Sequence, residues 1–154
     1  MGIIKKKNTD LYIMIKIDKL SKYIDNRGFN MILKTDIIIC EQFISQSKKN
    51  VLRGIHKSPY EKYLTVLSGK IIDYIIDFTN DKITYKKYVL DSEENNHIFI
   101  PANKGHLFIS LDDDTKLLYQ LGGNYDVTKL ENSMNEIYFY ASSNCNGLQF
   151  IRFR

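Results

Sequence analysis

Cysteine is scarce in this 154-residue sequence: Cys40 and Cys145 stand far apart, and there is no Cys-x-x-Cys pair. That spacing excludes zinc-finger and thioredoxin-type sites and leaves two free, buried thiols as the expectation rather than a disulfide. Arginine is equally thin, with Arg27, Arg53, Arg152 and Arg154 the whole supply. The net charge of +4, from 22 Lys+Arg against 18 Asp+Glu, is spread along the chain. A reader of duplex DNA gathers its basic residues on one element; none does so here, and nucleic acid is not an expected partner. Long apolar runs are missing too. The Lys5-Lys6-Lys7 cluster has no apolar stretch behind it of the kind a secretory leader needs, and the ~20 consecutive apolar residues of a membrane helix are nowhere present. Lys6 stands where myristoylation of Gly2 favours Ser or Thr. The expectation is a cytoplasmic protein with no membrane partner.

What the sequence does have is enough apolar material for a core. A composition 44% hydrophobic and 26% charged is that of an ordinary soluble chain, and the length fits a single domain over residues 1–154. Ile, Tyr, Phe and Val recur in short runs at 11–17, 28–33, 36–44, 51–56, 63–67, 70–78, 83–90, 97–101, 106–110, 116–121, 136–140 and 148–153. Such runs predict strands, and about a dozen of them at this spacing predict an all-β sandwich or small antiparallel barrel. Helical periodicity is confined to 127–134, room for a turn or two.

The clearest local unit runs from Lys62 to Phe78. Ser68-Gly69 lies between two alternating apolar runs and predicts a tight hairpin. Pairing Leu67 with Lys70 puts Leu64 opposite Asp73 and Lys62 opposite Ile75. Lys62, Leu64, Val66, Ile71, Asp73 and Ile75 then share one face, and Tyr63, Thr65, Leu67, Ile72, Tyr74 and Ile76 the other. Both faces are largely apolar, so one is expected to line a barrel interior and the other to meet a second sheet or a subunit.

Polar residues among these strands mark the candidate chemistry. Arg53 and His56 share the segment Val51-Leu52-Arg53-Gly54-Ile55-His56, where strict alternation puts them on opposite faces and a bulge at Gly54 would realign them. An arginine on a barrel strand suits a phosphate or carboxylate ligand; taken alone, Arg53 reads more readily as a surface residue on an edge strand. His56 is either a general base, its pKa near neutrality, or a hydrogen-bonded structural residue. His106 follows the turn at 101–105 and either donates to an anionic oxygen or caps the turn. His97 reads as a solvent-facing residue at a strand start. Lys62 and Asp73, diagonal neighbours in the hairpin register, form either an inward pair whose lysine stabilises an enolate or an exposed ion pair of little consequence. A cupin metal site needs two neighbouring histidines, a carboxylate and a third histidine. Lys57-Ser58-Pro59 follows His56 instead, so no metal is expected.

In order along the chain, Asp25-Asn26-Arg27-Gly28, Val51-Leu52-Arg53-Gly54-Ile55-His56, Lys62-Tyr63-Leu64-Thr65-Val66-Leu67-Ser68-Gly69, Asp73 with Asp77, and Ile100-Pro101-Ala102-Asn103-Lys104-Gly105-His106-Leu107-Phe108 resemble the dTDP-4-dehydrorhamnose 3,5-epimerase family. That family carries D-x-R-G, VLRGxH, KLVxVxxG, D-x-x-x-D and IPxGFAHGF segments. Tyr119 and Tyr125, thirteen and nineteen residues after His106, match two family tyrosines. The resemblance spans roughly residues 17 to 126.

The resemblance implies a cupin-like β-jelly roll, a homodimer, and an isomerase that needs neither metal nor cofactor. Its reaction inverts C3 and/or C5 beside the C4 ketone of a nucleotide-linked 4-keto-6-deoxy sugar, in rhamnose or deoxysugar glycan synthesis. By motif position His56 is the base, Tyr119 the acid, and Lys62 the holder of the enolate oxygen. Arg53 and His106 would contact the diphosphate or sugar, Tyr125 would pack near the sugar or base, and Arg27 would reach across the dimer to the nucleotide. Ser47 and Asp73 complete the implied substrate-binding set.

The sequence departs from the family in places. Asn103-Lys104-Gly105-His106-Leu107-Phe108 stands for GFAHGF, Ile32 for a glutamate after D-x-R-G, and only Ser45 and Ser47 survive of a Q-x-N-x-S run. The family's C-terminal segment, whose Asp hydrogen-bonds the base histidine, is met by Tyr140-Ala141-Ser142-Ser143-Asn144-Cys145-Asn146, in a shorter tail with neither Asp nor Trp. Losing such a carboxylate costs about 10⁴ in rate in a serine protease. Asn144, Ser143 or Asp73 would then orient His56, or the chain is an inactive member that binds a nucleotide sugar or a partner enzyme. A nucleotide-sugar 3,4-ketoisomerase carries a second histidine shortly after RGxH, which Lys57-Ser58 does not supply. dTDP, UDP and GDP all remain compatible with the sequence.

Overall fold

The computed structural model describes residues 15–79, 83–124, 137–141 and 148–152. Among the described residues there are strands and no helix. Five strands, β1 (Lys16–Asp18), β4 (Glu41–Ser47), β6 (Lys62–Ser68), β9 (His97–Ile100) and β11 (Thr115–Leu121), form an antiparallel sheet in the order β1-β9-β6-β11-β4. Four more, β5 (Leu52–Lys57), β7 (Lys70–Asp77), β8 (Thr84–Asp91) and β10 (Gly105–Ser110), form a second sheet in the order β5-β10-β7-β8. Two hairpins pair within themselves, β2 (Lys22–Asp25) with β3 (Gly28–Met31), and β12 (Ile137–Ala141) with β13 (Leu148–Arg152). This is the all-β jelly roll expected.

Period-2 alternation builds the core between the two sheets. Leu64, Val66, Ile98, Ile100, Leu117, Tyr119 and Leu121 point inward from the five-stranded sheet and meet Ile71, Ile75, Leu90 and Phe108 from the other. A smaller cluster of Ile55, Ile72, Tyr74, Ile76 and Leu107 lies on the other face of the four-stranded sheet.

Three expectations need correction. β6 and β7 are not a paired hairpin: β6 pairs with β9 and β11, and β7 with β8 and β10, so Ser68-Gly69 carries the chain from one sheet to the other. Gly69 takes a φ of +80° there, and a Cβ would strike Thr115. Alternation within each strand holds whatever its partner, but the two sets do not share one face: Leu64 and Val66 meet Ile71 and Ile75 across the core. His97 is buried, not solvent-facing. Its Nε2–H donates to the Lys34 carbonyl (3.1 Å), its Nδ1 accepts from Thr65 Oγ1 (2.8 Å), and its ring stacks on Tyr63. Burial lowers its pKa, consistent with this neutral tautomer. Cys40 is exposed rather than buried. The remaining strand expectations hold within a few residues, except that β2 was not foreseen and the run at 36–44 becomes strand only from Glu41. Residues 11–14, the helical turn at 127–134 and Cys145 lie outside the described residues.

Candidate active site

β5 is an edge strand, and its pairing with β10 slips by one residue: His106 faces His56 while Leu107 faces Gly54, leaving Ile55 as the extra residue of a bulge. Gly54 has a φ of +127°, and a Cβ there would lie 2.6 Å from the His106 carbonyl oxygen. The bulge turns Arg53 and His56 to the same side, as the sequence allowed. Both line a cavity of about 90 Å³ with Phe43 and Ser45 of β4, Ser58 and Tyr60 of the β5–β6 loop, Lys62 of β6, and Tyr119 and Leu121 of β11.

Within this cavity His56 is half-buried. Burial, then the positive fields of Lys62, His106 and Arg53, push its pKa down to about 4. Lys62 is 4% exposed; burial lowers its pKa to about 8, with Asp73 opposing the fall. At neutral pH the cavity therefore holds a neutral imidazole, able to accept a proton, beside an ammonium able to meet a developing anion. Tyr119 is held by stacking on Phe43, with ring centroids 4.4 Å apart and planes 12° from parallel. The Arg53 guanidinium is fixed at the rim, Nε donating to Ser47 Oγ (2.8 Å) and Nη2 to the Gln46 carbonyl (2.9 Å). Ser47 itself is buried and meets the cavity only through Arg53.

His106 and Asp73 lie deeper. His106 Nε2 is 2.7 Å from Asp73 Oδ1 without forming a hydrogen bond, and neither residue lines the cavity. The His106 ring stands edge-on to Tyr119 at 6.3 Å. Arg27 is elsewhere, at the tip of the β2–β3 hairpin, 83% exposed and paired with Asp25 at 2.6 Å. Tyr125, Ser143 and Asn144 lie outside the described residues. Sequence reasoning missed Phe43, Ser58, Tyr60 and Leu121. Phe43 and Leu121 were findable as the inward neighbours, two residues along, of Ser45 and Tyr119. For Tyr60 the signal was Gly122-Gly123: a Cβ on Gly123 would collide with the Tyr60 ring. Among the described residues no cluster of three His, Cys, Asp or Glu side chains is placed to hold a metal ion.

The model of the dTDP-4-dehydrorhamnose 3,5-epimerase family matches residues 20–135. The dTDP-4-dehydrorhamnose 3,5-epimerase of Mycolicibacterium smegmatis is 31% identical over 88 residues, covering 53% of this chain and 44% of that protein. The chain thus spans about half the length of the curated relatives it matches. Among solved structures, ChmJ, a 3'-monoepimerase from Streptomyces bikiniensis in complex with dTDP-quinovose, superposes with a TM-score of 0.67 at 21% identity, over 74% of this chain and 66% of that one. The dTDP-6-deoxy-D-glucose-3,5-epimerase of Legionella pneumophila, in complex with dTDP-4-keto-L-rhamnose, gives 0.64 at 26% identity, over 73% of this chain and 68% of that one. With a family model spanning most of its length and the family's jelly roll in its structure, the chain belongs to the dTDP-4-dehydrorhamnose 3,5-epimerase family.

Proposed function

We propose that the protein is a nucleotide-sugar epimerase that inverts C3, C5 or both beside the C4 ketone of a nucleotide-linked 4-keto-6-deoxy sugar, acting as a cytoplasmic homodimer in rhamnose or deoxysugar glycan synthesis. One observation carries the reading: a neutral histidine, a buried lysine, a tyrosine and an anchored arginine converge on one cavity. The C4 carbonyl acidifies the neighbouring C–H bonds. His56 removes a proton from one face, and the electron pair moves into the C–C bond and onto the C4 oxygen. Lys62 stabilises that enolate where the charge develops. Tyr119 then gives its proton to the opposite face, the enolate collapses to the ketone, and exchange with solvent restores His56 and Tyr119. No metal or cofactor takes part in these steps.

Arg53, held by Ser47, serves the diphosphate or sugar; His106 and Asp73, neither of which lines the cavity, support this set from below, and Ser45 offers its buried hydroxyl at the cavity wall. Arg27 serves the nucleotide across the dimer, and Tyr125 packs near the sugar or base. The dTDP-sugar ligands of the Streptomyces and Legionella proteins favour a dTDP-linked substrate. The test is incubation with dTDP-4-keto-6-deoxyglucose in D₂O, read by NMR at C3 and C5. Deuterium at both carbons is a 3,5-epimerase and at one a monoepimerase. Tight binding with no uptake from dTDP-, UDP- or GDP-linked sugars would overturn the proposal in favour of a binding protein.

A further inference from the structure

Asp73 sits at the heart of the molecule, 0% exposed, and neither of its carboxylate oxygens has a hydrogen-bond partner. A carboxylate so far from water is costly unless positive charge meets it. Two groups able to carry one share that interior, on different sheets. His106, on the neighbouring strand β10, approaches within 2.7 Å and is itself 1% exposed. Lys62 comes from β6 on the facing sheet and is also buried. Asp73 touches no part of the cavity that Lys62 lines, so any effect on chemistry there passes through its neighbours.

We infer that Asp73 is a positioning residue: a buried counter-ion, shared by Lys62 and His106 across the two sheets, that keeps the Lys62 ammonium charged and aimed into the cavity. The groups sharing that interior with Lys62 are Arg53 and His56 from β5, Tyr60 from the loop, Tyr88 from β8, His106 from β10 and Tyr119 from β11, besides Asp73 from β7. Of these Asp73 alone is a carboxyl group. Its field is felt on both sides: it opposes the burial that drives Lys62 down, and it adds to the burial that raises the Tyr88 phenol. Without it, Lys62 would face two histidines and an arginine with nothing to hold its proton. The inference rests on the epimerase reading only for what the Lys62 charge does, not for the charge itself.

The test reads Lys62 directly, in the full chain without substrate, from the ¹⁵Nζ signal of labelled lysine. Asp73→Asn keeps the shape and removes the charge. The Lys62 midpoint should fall by about one pH unit or more, and Asp73→Glu should restore part of it. In the same variant the alkaline limb of the deuterium-exchange profile should move to lower pH by the same amount. If Asp73→Asn does not fold, the Asp73 carboxyl ¹³C signal of the wild-type protein should inflect at the Lys62 midpoint. An unmoved Lys62 midpoint in a folded Asp73→Asn, or no such inflection in the wild type, overturns the inference. A shifted midpoint in a protein that exchanges no deuterium would instead remove the epimerase reading and leave this one standing.

Discussion

Replacing Gly54 with alanine should damage both stability and the site. At a φ of +127° an L side chain is strained, and the new Cβ would lie 2.6 Å from the His106 carbonyl oxygen and 2.8 Å from Leu107 Cα. Both atoms are backbone of β10, which is paired on its other side to β7 and cannot retreat without loosening that ladder. Backbone strain of about 1–3 kcal/mol and crowding of about 1–3 kcal/mol give an expected loss of about 2–6 kcal/mol. Urea unfolding should report that loss, and Tm should fall by about 2–4 °C for each kcal/mol. If the chain relieves the clash by undoing the bulge, His56 leaves the face it shares with Arg53, and deuterium exchange should disappear from whatever fraction remains folded. A Gly54→Ala protein within about 0.5 kcal/mol of wild type and fully active in exchange would refute the link between bulge and site.

The pH profile of exchange should be flat between the midpoints of its two key groups. It should fall as pH drops through about 4, where His56 gains a proton, and again as pH rises through about 8, where Lys62 loses one. His56 also makes stability decline from its unfolded value of 6.5 down to about 4, because the unfolded chain takes up the proton first; urea midpoints across that range should show it. Arg53→Ala should raise KM with little change in kcat, and Ser47→Ala should do the same more weakly by freeing the guanidinium. His97→Ala should cost about 1–3 kcal/mol through two lost hydrogen bonds, one of them buried. Its kinetics should stay unchanged, since His97 lies on the opposite face of the five-stranded sheet from the cavity; a kinetic defect without a stability loss would contradict that placement.

How much was legible beforehand depended on whether the signal was local. Alternation told which side chains of each strand share a face, Lys62 with Leu64 and Val66 on β6 and Asp73 with Ile71 and Ile75 on β7, because it needs no knowledge of the partner strand; which face is inward it left open. It could not tell pairing: Ser68-Gly69 between two apolar runs has the same appearance whether the chain folds back on itself or crosses to the facing sheet. Gly54 announced a bulge because only glycine tolerates that backbone. His97 was misread because its partners, Thr65 and the Lys34 carbonyl, come from distant parts of the chain. The His106–Asp73 approach was invisible for the same reason, being fixed by the register of β10 on β7. Ser47 was singled out by its motif as substrate-binding, whereas its hydrogen bond from Arg53, reaching from the edge of one sheet to the edge of the other, carries no local signal.

In the proposed reaction two groups work on opposite faces of one carbon, His56 removing the proton and Tyr119 returning it. Deuterium uptake and stereochemical inversion should therefore be measured in the same NMR sample, for the wild type and for Tyr119→Phe. The wild type should show uptake with inversion, and the variant uptake with little inversion. Full inversion by Tyr119→Phe, or inversion by the wild type without uptake, would contradict that reaction.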